Sequence, residues 1–529
     1  MLGSDGDRRG PHDGVPGVAG VLDPDDVTLD PHDARLDRPD PDDVRPGHDV
    51  AHGSLTAVPT PPPGGASTAT PDEAAAVVAA VEAADVELIR FLWVDHSSIT
   101  RGKAVTRRFL PERMVSGIGL ARSRQAANLL DEGQPVPGFN AVGEVRLVPD
   151  PSSFVVLPYA PGSAAMVCDL VDLDGRPWDA CPRQFLREAI DAVAAYDPGL
   201  EPVAAFEPEF TLCRGKPTPD GLEVVDDSLC FDVAGFDVAN DYTVALVRAL
   251  RAQGIEVEIY HPEFGHGQHE TTVRATPALR AADVHVWHKA TVRGLARRHG
   301  MWATFAPNPH PGYRGNGNHV HLSLWRRTGH PGGGAANAFA DRSDRLGLSD
   351  LAHHFVAGLL AHAPALVALT CASVNSYRRL RPGRWSGGYA CYGPDNREAA
   401  VRVPSRLRGR EAASTNVEFK ACDGTANPYL ALGALLHAGL DGIRNRLDPG
   451  EPMLDDPNEL PTAELRARGV TPLPSSLAEA LTALERDELL MDALGPLRRR
   501  LYSAVKRSDV ERLGELGEDA EFFLHATRY

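Results

Sequence analysis

The chain has 529 residues, enough for two or three domains, and 43% of them are hydrophobic, enough for a large core. Its formal net charge of −18 argues against a nucleic-acid partner, because phosphates require a basic protein face. No apolar run reaches the roughly 18 residues of a membrane-spanning helix, and the first residues lack the basic and apolar segments of a secretory signal. Seven scattered cysteines without a Cys-x-x-Cys pair indicate reduced thiols and a cytoplasmic protein.

Residues 1–72 form an acidic tail that is rich in Asp, Pro, Gly and His and has no aromatic residue. The tail repeats Asp-Pro-Asp-Asp-Val at 23–27 and 40–44, and Pro59–Gly65 has the composition of a linker. Such a segment buries too little apolar surface to offset its ordering entropy, so we predict that it is disordered. Loose metal binding by its Asp and His residues is the alternative.

The stretch 73–178 predicts a small β-rich domain. It opens with a helix at Ala74–Ala84, for which Asp72 is the expected N-cap. Turn residues at 95–98 predict that the first two strands form a hairpin. The predicted strands are Val86–Val94, Arg101–Val105, Glu144–Val148, Ser153–Leu157 and Ala165–Leu170.

From 179 to 529, helical stretches alternate with strands and then dominate, which predicts one large α+β domain with a helical carboxyl-terminal part. The predicted strands are Glu201–Cys213, Ile255–Tyr260, Gly300–Phe305 and His319–Leu324. The predicted helices are Pro182–Tyr196, Val238–Gln253 and Asp283–His299, followed by the mostly helical segments Leu346–Ser373, Pro428–Arg446 and Ala463–Ala520.

Two carboxylates, Glu207 and Glu209, flank Pro208 within an apolar stretch. On a strand, the i, i+2 spacing puts both carboxylates on one face. The proline, which has no N–H to donate, predicts an edge strand or a strand end. Taken alone, this stretch favours an ordinary strand whose polar face carries two glutamates, because short motifs often match by chance.

Four further acidic or imidazole positions lie beside predicted strands or turns. Glu263 and Glu270 occupy a glycine-containing loop after the strand that ends at Tyr260. His319 lies in a later strand, and Glu418 lies in an alternating apolar–polar stretch. With the first pair, these residues make five carboxylates and one imidazole, the donor inventory of a two-cation site for Mg²⁺ or Mn²⁺. Paired cations of this kind clamp the oxygens of a transferring phosphoryl group.

The order and wording of these motifs resemble the glutamine synthetase family. The match spans about residues 80–529 and is carried by Glu207–Phe210, His261–Glu270, Gly315–Leu324, Asn375–Leu380, Asp395–Arg397, Val401–Pro404 and Asn427–Leu430. The resemblance implies a type I-like α+β fold, with a small amino-terminal β-grasp domain before the catalytic domain. It also implies a ring of six subunits, usually doubled, with active sites between neighbours.

The resemblance also implies roles for individual residues. It gives Glu209, Glu263 and Glu270 to one cation, and Glu207, His319 and Glu418 to a second cation near the nucleotide phosphates. The implied ATP contacts are Glu258, His321, Ser323 and Arg402, and Arg397 matches the arginine that stabilises the phosphoryl group in flight. The implied substrate positions are Gly315, Arg379, Trp385 and Lys420. The family reaction phosphorylates the γ-carboxylate of glutamate with ATP, and an amine or ammonia then displaces the phosphate.

The departures from the family pattern concentrate on the amine side of the site. Trp385 stands where the family has a glutamate that helps to bind ammonium, and Ala121 stands where it has an aspartate that accepts the ammonium proton. Arg314 replaces an asparagine beside the substrate, and Lys420 replaces an arginine, which loses the bidentate fork.

The substitutions at Trp385 and Ala121 remove both acidic groups that would bind ammonium. They predict an acceptor other than ammonium, because burying a cation without an anionic partner is unfavourable. Trp385 could instead contact the alkyl chain or charge of a larger amine or polyamine. Three alternatives stay open. In the first, Trp385 only packs in a lid while other residues replace the acids. In the second, the protein is an ordinary glutamine synthetase, and in the third it is a catalytically silent binding protein.

Overall fold

The structure, a computed structural model, describes residues 69–312, 314–327 and 335–529. The predicted disorder, the Asp-Pro repeat and the predicted linker lie outside the described residues, up to residue 68. The first helix, α1, spans Pro71–Ala83, and its N-cap is Thr70 rather than the predicted Asp72. Thr70 caps the helix because it forms a capping box with Glu73, in which each side chain accepts a hydrogen bond from the other residue's backbone N–H.

A six-stranded mixed sheet follows α1, with the order β2-β1-β6-β4-β3 and with β5 against β6. Strand β1 runs parallel to β6, and the predicted β1–β2 hairpin is confirmed. The predicted strand Ser153–Leu157 is confirmed only over Val155–Val156, because Ser153 belongs to a short 3₁₀ helix, Pro151–Ser153, in which Asp150 accepts the Ser152 N–H at 3.0 Å. The elements are β1 Leu88–Val94, β2 Thr100–Thr106, α2 Leu110–Ser116, β3 Ile118–Ala121, β4 Glu144–Pro149, β5 Val155–Val156 and β6 Ser163–Val171.

The rest of the chain is built on a ten-stranded sheet with the order β14-β15-β16-β12-β7-β9-β8. Strands β10 and β11 also pair with β7, and β13 pairs with β12. The strands are β7 Leu200–Arg214, β8 Val257–Pro262, β9 Gln268–Val273, β10 Thr276–Pro277, β11 Met301–Thr304, β12 Asn318–Arg327, β13 Ala335–Asn337, β14 Tyr389–Pro394, β15 Ala399–Val403 and β16 Val417–Phe419.

Helices cover this sheet and complete the main hydrophobic core, and α3, α6, α7 and α10 contribute most of its helical side chains. The predicted helix over Val238–Gln253 is interrupted at Ala239, whose φ and ψ of −103° and 7° are not helical. The helices are α3 Pro182–Tyr196, α4 Val233–Val238, α5 Asn240–Ala252, α6 Ala278–Arg298, α7 Asp350–Thr370, α8 Ser376–Arg379, α9 Glu411–Ser414, α10 Pro428–Asn445, α11 Thr462–Ala467, α12 Leu477–Arg486, α13 Glu488–Gly514 and α14 Glu518–Arg528.

Helix α7 is long and apolar enough to cross a membrane by length and composition alone. It packs in the main core instead, where residues such as Phe355 and Leu366 are buried against α10. The core helix of a soluble protein has these properties, because it is apolar on every side.

A buried ionic cluster joins the two sheets. Arg183, on α3, lies 2.8 to 2.9 Å from the carboxylates of Asp150, Asp169 and Asp283, which come from the first sheet and from α6. Arg187 adds a second guanidinium to Asp150 and Asp169. Burial alone would raise the pKa of Asp150 and Asp169, but the two guanidinium groups hold both below their ordinary value. The cluster therefore fixes the first sheet against the helices of the second.

Candidate active site

Strand β7 lies inside the large sheet, so the predicted edge position of Pro208 is wrong. Pro208 faces Asn318 of β12, and at the next residue β7 pairs with β9 instead, so that Glu209 faces Glu270. The proline is tolerated because it stands where the strand changes partner, at a point where one ladder hydrogen bond is dispensable. Pairing on both sides places the two predicted carboxylates in the middle of the sheet.

The register of five adjacent strands gathers the charged residues. His319 of β12 faces Glu207 of β7, and His321 faces Glu418 of β16. On the other side of β7, Glu270 of β9 faces both Glu209 and His261 of β8. The side chains of one sheet face therefore converge, although their residues are far apart in sequence.

The first cluster lies between β7, β12 and β16. Glu207, His321 and Glu418 each present one ligand atom, and the three atoms lie within 4.8 Å of one another. His321 Nε2 is 3.0 Å from a Glu207 oxygen, and His319 Nδ1 is 3.2 Å from Glu418 and 3.7 Å from Glu207. His319 and His321 are thus both within reach of one ion.

The second cluster comprises His261, Glu263 and Glu270, whose ligand atoms also lie within 4.8 Å of one another. Glu209 is adjacent to it, and its Oε2 accepts hydrogen bonds from Gly317 N at 2.8 Å and from Gln268 Nε2 at 2.5 Å. Neither His261 nor Gln268 was predicted from the sequence as a site residue, although both lie in the His261–Glu270 motif.

The donor atoms of both clusters fit divalent cations. Carboxylate oxygens are the ligands that Mg²⁺ and Mn²⁺ prefer. The buried His261 Nδ1 has no hydrogen-bond partner within the described residues, and such an orphaned nitrogen leaves a lone pair for an ion.

The electrostatics also favour a bound cation. Burial, followed by repulsion from Glu207, Glu209, Glu263 and Glu418, raises the pKa of Glu270 well above its ordinary value. Burial and the charge of Glu263 raise the pKa of Glu209 to about 7, even though Arg379 opposes them. Closely spaced carboxylates that resist ionisation are stabilised by positive charge placed among them.

Basic residues lie on the opposite side of the first cluster and contact Glu418 and His319. Burial would raise the pKa of Glu418, but Lys420, 3.3 Å away, and the two neighbouring imidazoles lower it to about 2. Arg402 donates to the other Glu418 oxygen at 2.8 Å, and Arg379 donates to His319 Nε2 at 3.0 Å. The cluster is therefore flanked by cationic groups that can contact the oxygens of an anionic ligand.

The clusters open into a cavity of about 900 Å³. It brings together most of the predicted site residues, namely Glu207, Glu209, Glu263, Glu270, Gly315, His319, Arg379, Trp385, Arg397, Arg402, Glu418 and Lys420. Glu258, His321 and Ser323 do not line it. Glu258 is exposed on β8, where Ile259 and His261 face the cavity instead, and Ser323 is buried and accepts a hydrogen bond from Trp325 Nε1.

Two glycines shape the cavity wall. A Cβ at Gly315 would lie 2.2 Å from the Pro307 carbonyl oxygen, so only glycine fits there. A Cβ at Gly317 would lie 2.6 to 2.8 Å from the side chains of Arg379, Glu209 and His319. The glycine loop thus lets the backbone approach the charged clusters closely.

Comparison with known proteins identifies the family. Residues 71–178 match the model for the glutamine synthetase N-terminal domain, and residues 179–524 match the model for the glutamine synthetase catalytic domain. A glutamine synthetase of Halobacterium salinarum is 34% identical over 440 residues, which cover 82% of this chain and 92% of the relative. A gamma-glutamylpolyamine synthetase of Streptomyces coelicolor is 36% identical over 427 residues, or 80% of this chain and 88% of the relative.

A solved structure described as a novel glutamine synthase homolog has the same fold. It superposes with a TM-score of 0.73 at 35% sequence identity, and the match covers 84% of this chain and 99% of that chain. The chain therefore belongs to the glutamine synthetase family of ATP-dependent ligases, which join ammonia or an amine to the γ-carboxylate of glutamate.

Proposed function

We propose that the protein joins an organic amine, rather than ammonium, to the γ-carboxylate of glutamate through an acyl phosphate made from ATP. The observation that carries this proposal is the pairing of two acid–imidazole clusters with a tryptophan, Trp385, in one cavity. The clusters suit phosphoryl transfer, whereas Trp385 stands where the family pattern has the glutamate that helps to bind ammonium.

Two divalent cations, Mg²⁺ or Mn²⁺, are the proposed cofactors. Glu207, His319 and Glu418 would hold one cation together with His321, while Glu209, Glu263 and Glu270 would hold the other with His261. When bound, such cations neutralise phosphate charge and polarise the transferring phosphoryl group.

The remaining charged residues position the two anionic substrates. Arg402 and His321 are proposed to contact ATP, and Arg397 to stabilise the phosphoryl group, because a planar guanidinium matches phosphate oxygens. Glu258 and Ser323, which lie outside the cavity, remain ATP contacts predicted from the family match alone. Arg379 and Lys420, with the Gly315 loop, would hold the carboxylates of glutamate.

Trp385 lies in a lid segment whose backbone N–H groups donate hydrogen bonds to a buried carboxylate. The buried Glu398 accepts the N–H of Gly383 at 3.0 Å and that of Trp385 at 2.7 Å. Trp385 itself has a φ of +57°, a left-handed conformation that is unusual for a bulky residue. Strain of this kind persists where the surroundings impose it, and it presents the indole, 50% exposed, at the cavity mouth. We propose that the indole contacts the carbon chain of the acceptor.

Two alternatives remain. An ordinary glutamine synthetase would have to bind ammonium without the two lost acids, at Ala121 and Trp385. A catalytically silent homologue is disfavoured, because clustered buried carboxylates destabilise an empty fold and have no structural benefit there.

Assembly and location follow the family expectation. We propose a homo-hexamer or a dodecamer in the cytoplasm, with no nucleic-acid or membrane partner. Mass measurement of the purified protein tests the ring, and a stable monomer with full activity would contradict it.

The central experiment measures phosphate release from ATP with glutamate, Mg²⁺ and a panel of amines, and it identifies the γ-glutamyl product by mass. An organic amine should give a higher kcat/KM than ammonium. If ammonium is the best acceptor across a broad panel, the proposal is wrong. Glu263→Ala and Glu207→Ala should abolish phosphate release, and an unchanged rate in both would contradict the cation assignment.

A further inference from the structure

The lid end of the cavity carries more positive charge than the proposed reaction uses. Arg314, Arg381 and Arg384 line the cavity, and among the described residues none of the three has a carboxylate within ion-pair distance. Among the other lining arginines, Arg402 pairs with Glu418 and Arg378 pairs with Glu518 and Glu521, whereas Arg379 and Arg397 already have roles in the proposed reaction. Three guanidinium groups therefore face the cavity with their charge uncompensated by the protein.

These charges stand beside an aromatic wall, which we define as Phe231, Phe264 and Trp385. The three rings are 56%, 43% and 50% exposed, and all line the cavity. Phe264 meets Trp385 edge-to-face with 5.4 Å between ring centroids, and the Arg314 guanidinium carbon lies 5.4 Å from the Phe264 centroid. Apolar surface and positive charge thus occur within one continuous patch.

Acidic residues that could receive a second ammonium group are missing from this patch, as far as the described lining residues show. Five of the six glutamates that line the cavity belong to or adjoin the two acid–imidazole clusters, and the sixth, Glu518, is paired with Arg378. A polyamine would place its distal ammonium among guanidinium groups, where like charges repel. A distal carboxylate would instead meet donors of matching geometry.

We infer that the acceptor is an amine that carries a carboxylate, separated from the amine by an apolar chain that lies on the aromatic wall. This inference rests on the proposed function, since it names the substrate class of that site. In the reaction the amine nitrogen bonds to the carbonyl carbon of the acyl phosphate, and the bond from that carbon to the phosphate oxygen breaks. Phosphate leaves with the electron pair, and the nitrogen releases a proton to water.

Three acceptors with one four-carbon chain test the inference, because they differ only in the group at the far end. These are 4-aminobutanoate, butylamine and 1,4-diaminobutane, whose far ends are negative, neutral and positive. We expect kcat/KM for 4-aminobutanoate to exceed that for butylamine by about tenfold, and 1,4-diaminobutane to be the poorest of the three.

The double variant Arg381→Glu with Arg384→Glu should reverse this order, while the KM values for glutamate and ATP stay within about twofold of the wild type. Unchanged KM values also show that the variant is folded. Arg500→Glu, an exposed arginine on α13 outside the cavity, is the matched control and should keep the wild-type order.

The outcomes separate this inference from the proposed function. If 1,4-diaminobutane or butylamine is the best of the three acceptors and also exceeds ammonium, the inference is wrong while the proposed function stands. If the double variant raises the KM for glutamate instead, the arginines hold glutamate and the inference is again wrong. If ammonium exceeds every amine, the proposed function itself fails.

Discussion

Replacing Glu209 by glutamine should stabilise the cation-free protein and abolish its activity. Moving the pKa of a carboxyl from 4.5 to about 7 makes its ionised form about 3 kcal/mol less favourable in the folded state. Glu209→Gln removes this charge, and its amide oxygen can still accept the hydrogen bonds from Gly317 and Gln268. In the presence of a chelator at pH 8, the variant should therefore gain up to about 3 kcal/mol in free energy of unfolding.

The sign of the effect depends on pH in a defined way. The raised pKa destabilises the folded wild type fully above pH 7. This penalty shrinks as the pH falls from 7 to 4.5, because the carboxyl then protonates in the folded state first, and it vanishes below pH 4.5, where both states are protonated. The advantage of Glu209→Gln should shrink over the same window. Urea denaturation with a chelator, at several pH values, measures it.

Adding Mg²⁺ or Mn²⁺ should reduce the stability advantage of Glu209→Gln. The wild type gains about 2.7 kcal/mol when the free cation reaches a hundred times its Kd, whereas the variant, which lacks one anionic ligand, gains less. Glu82→Gln, at an exposed position on α1, is the control and should change stability by less than about 0.5 kcal/mol. A variant that is no more stable than wild type in chelator at pH 8, or an advantage that is the same at every pH, would refute the reasoning.

Three further predictions concern residues outside the acid–imidazole clusters. Arg183→Met should lower the free energy of unfolding by about 3–5 kcal/mol, measured by urea denaturation, because it leaves three buried carboxylates without their shared partner. Glu521→Gln should raise the KM for glutamate about three- to tenfold with little change in kcat, because Glu521 accepts hydrogen bonds from Asn375 and Arg378 in the turn that carries Arg379. Burial would lower the pKa of His362, but Asp487 and Asp441 raise it, so protonated His362 stabilises the fold below about pH 6.5. This contribution to the free energy of unfolding is lost as the pH rises through the folded pKa, and His362→Gln should remove it.

Each of these has a matched control. Arg176→Met breaks only exposed ion pairs, with Asp172 and Asp174. Glu511→Gln changes an exposed glutamate on α13, and His266→Gln changes an exposed histidine away from His362 and its two aspartates. Equal losses in Arg183→Met and Arg176→Met would contradict the cluster argument. A fall in kcat at unchanged KM would contradict the positioning role of Glu521, and an unaltered pH profile of stability in His362→Gln would contradict its assignment.

The sequence alone was enough to predict features that depend on short-range periodicity. Alternation along a strand put Glu207 and Glu209 on one face, and helix α3 follows its prediction, Pro182–Tyr196, because a proline at its first position and an amphipathic pattern act locally. The family motifs named most of the residues that line the cavity, since each motif is a contiguous stretch. Local signals of this kind are readable without knowing what packs against them.

Tertiary structure decided everything that depends on strand order. Only the register of the ten-stranded sheet places Glu418 against His321, brings His261 to Glu270 and sets Pro208 inside the sheet instead of at its edge. The uncompensated arginines are likewise a tertiary result, because an arginine is free or paired according to which distant carboxylate the fold brings to it. Periodicity fixes the face on which a residue lies, but the partner it meets depends on pairing between segments far apart in the chain.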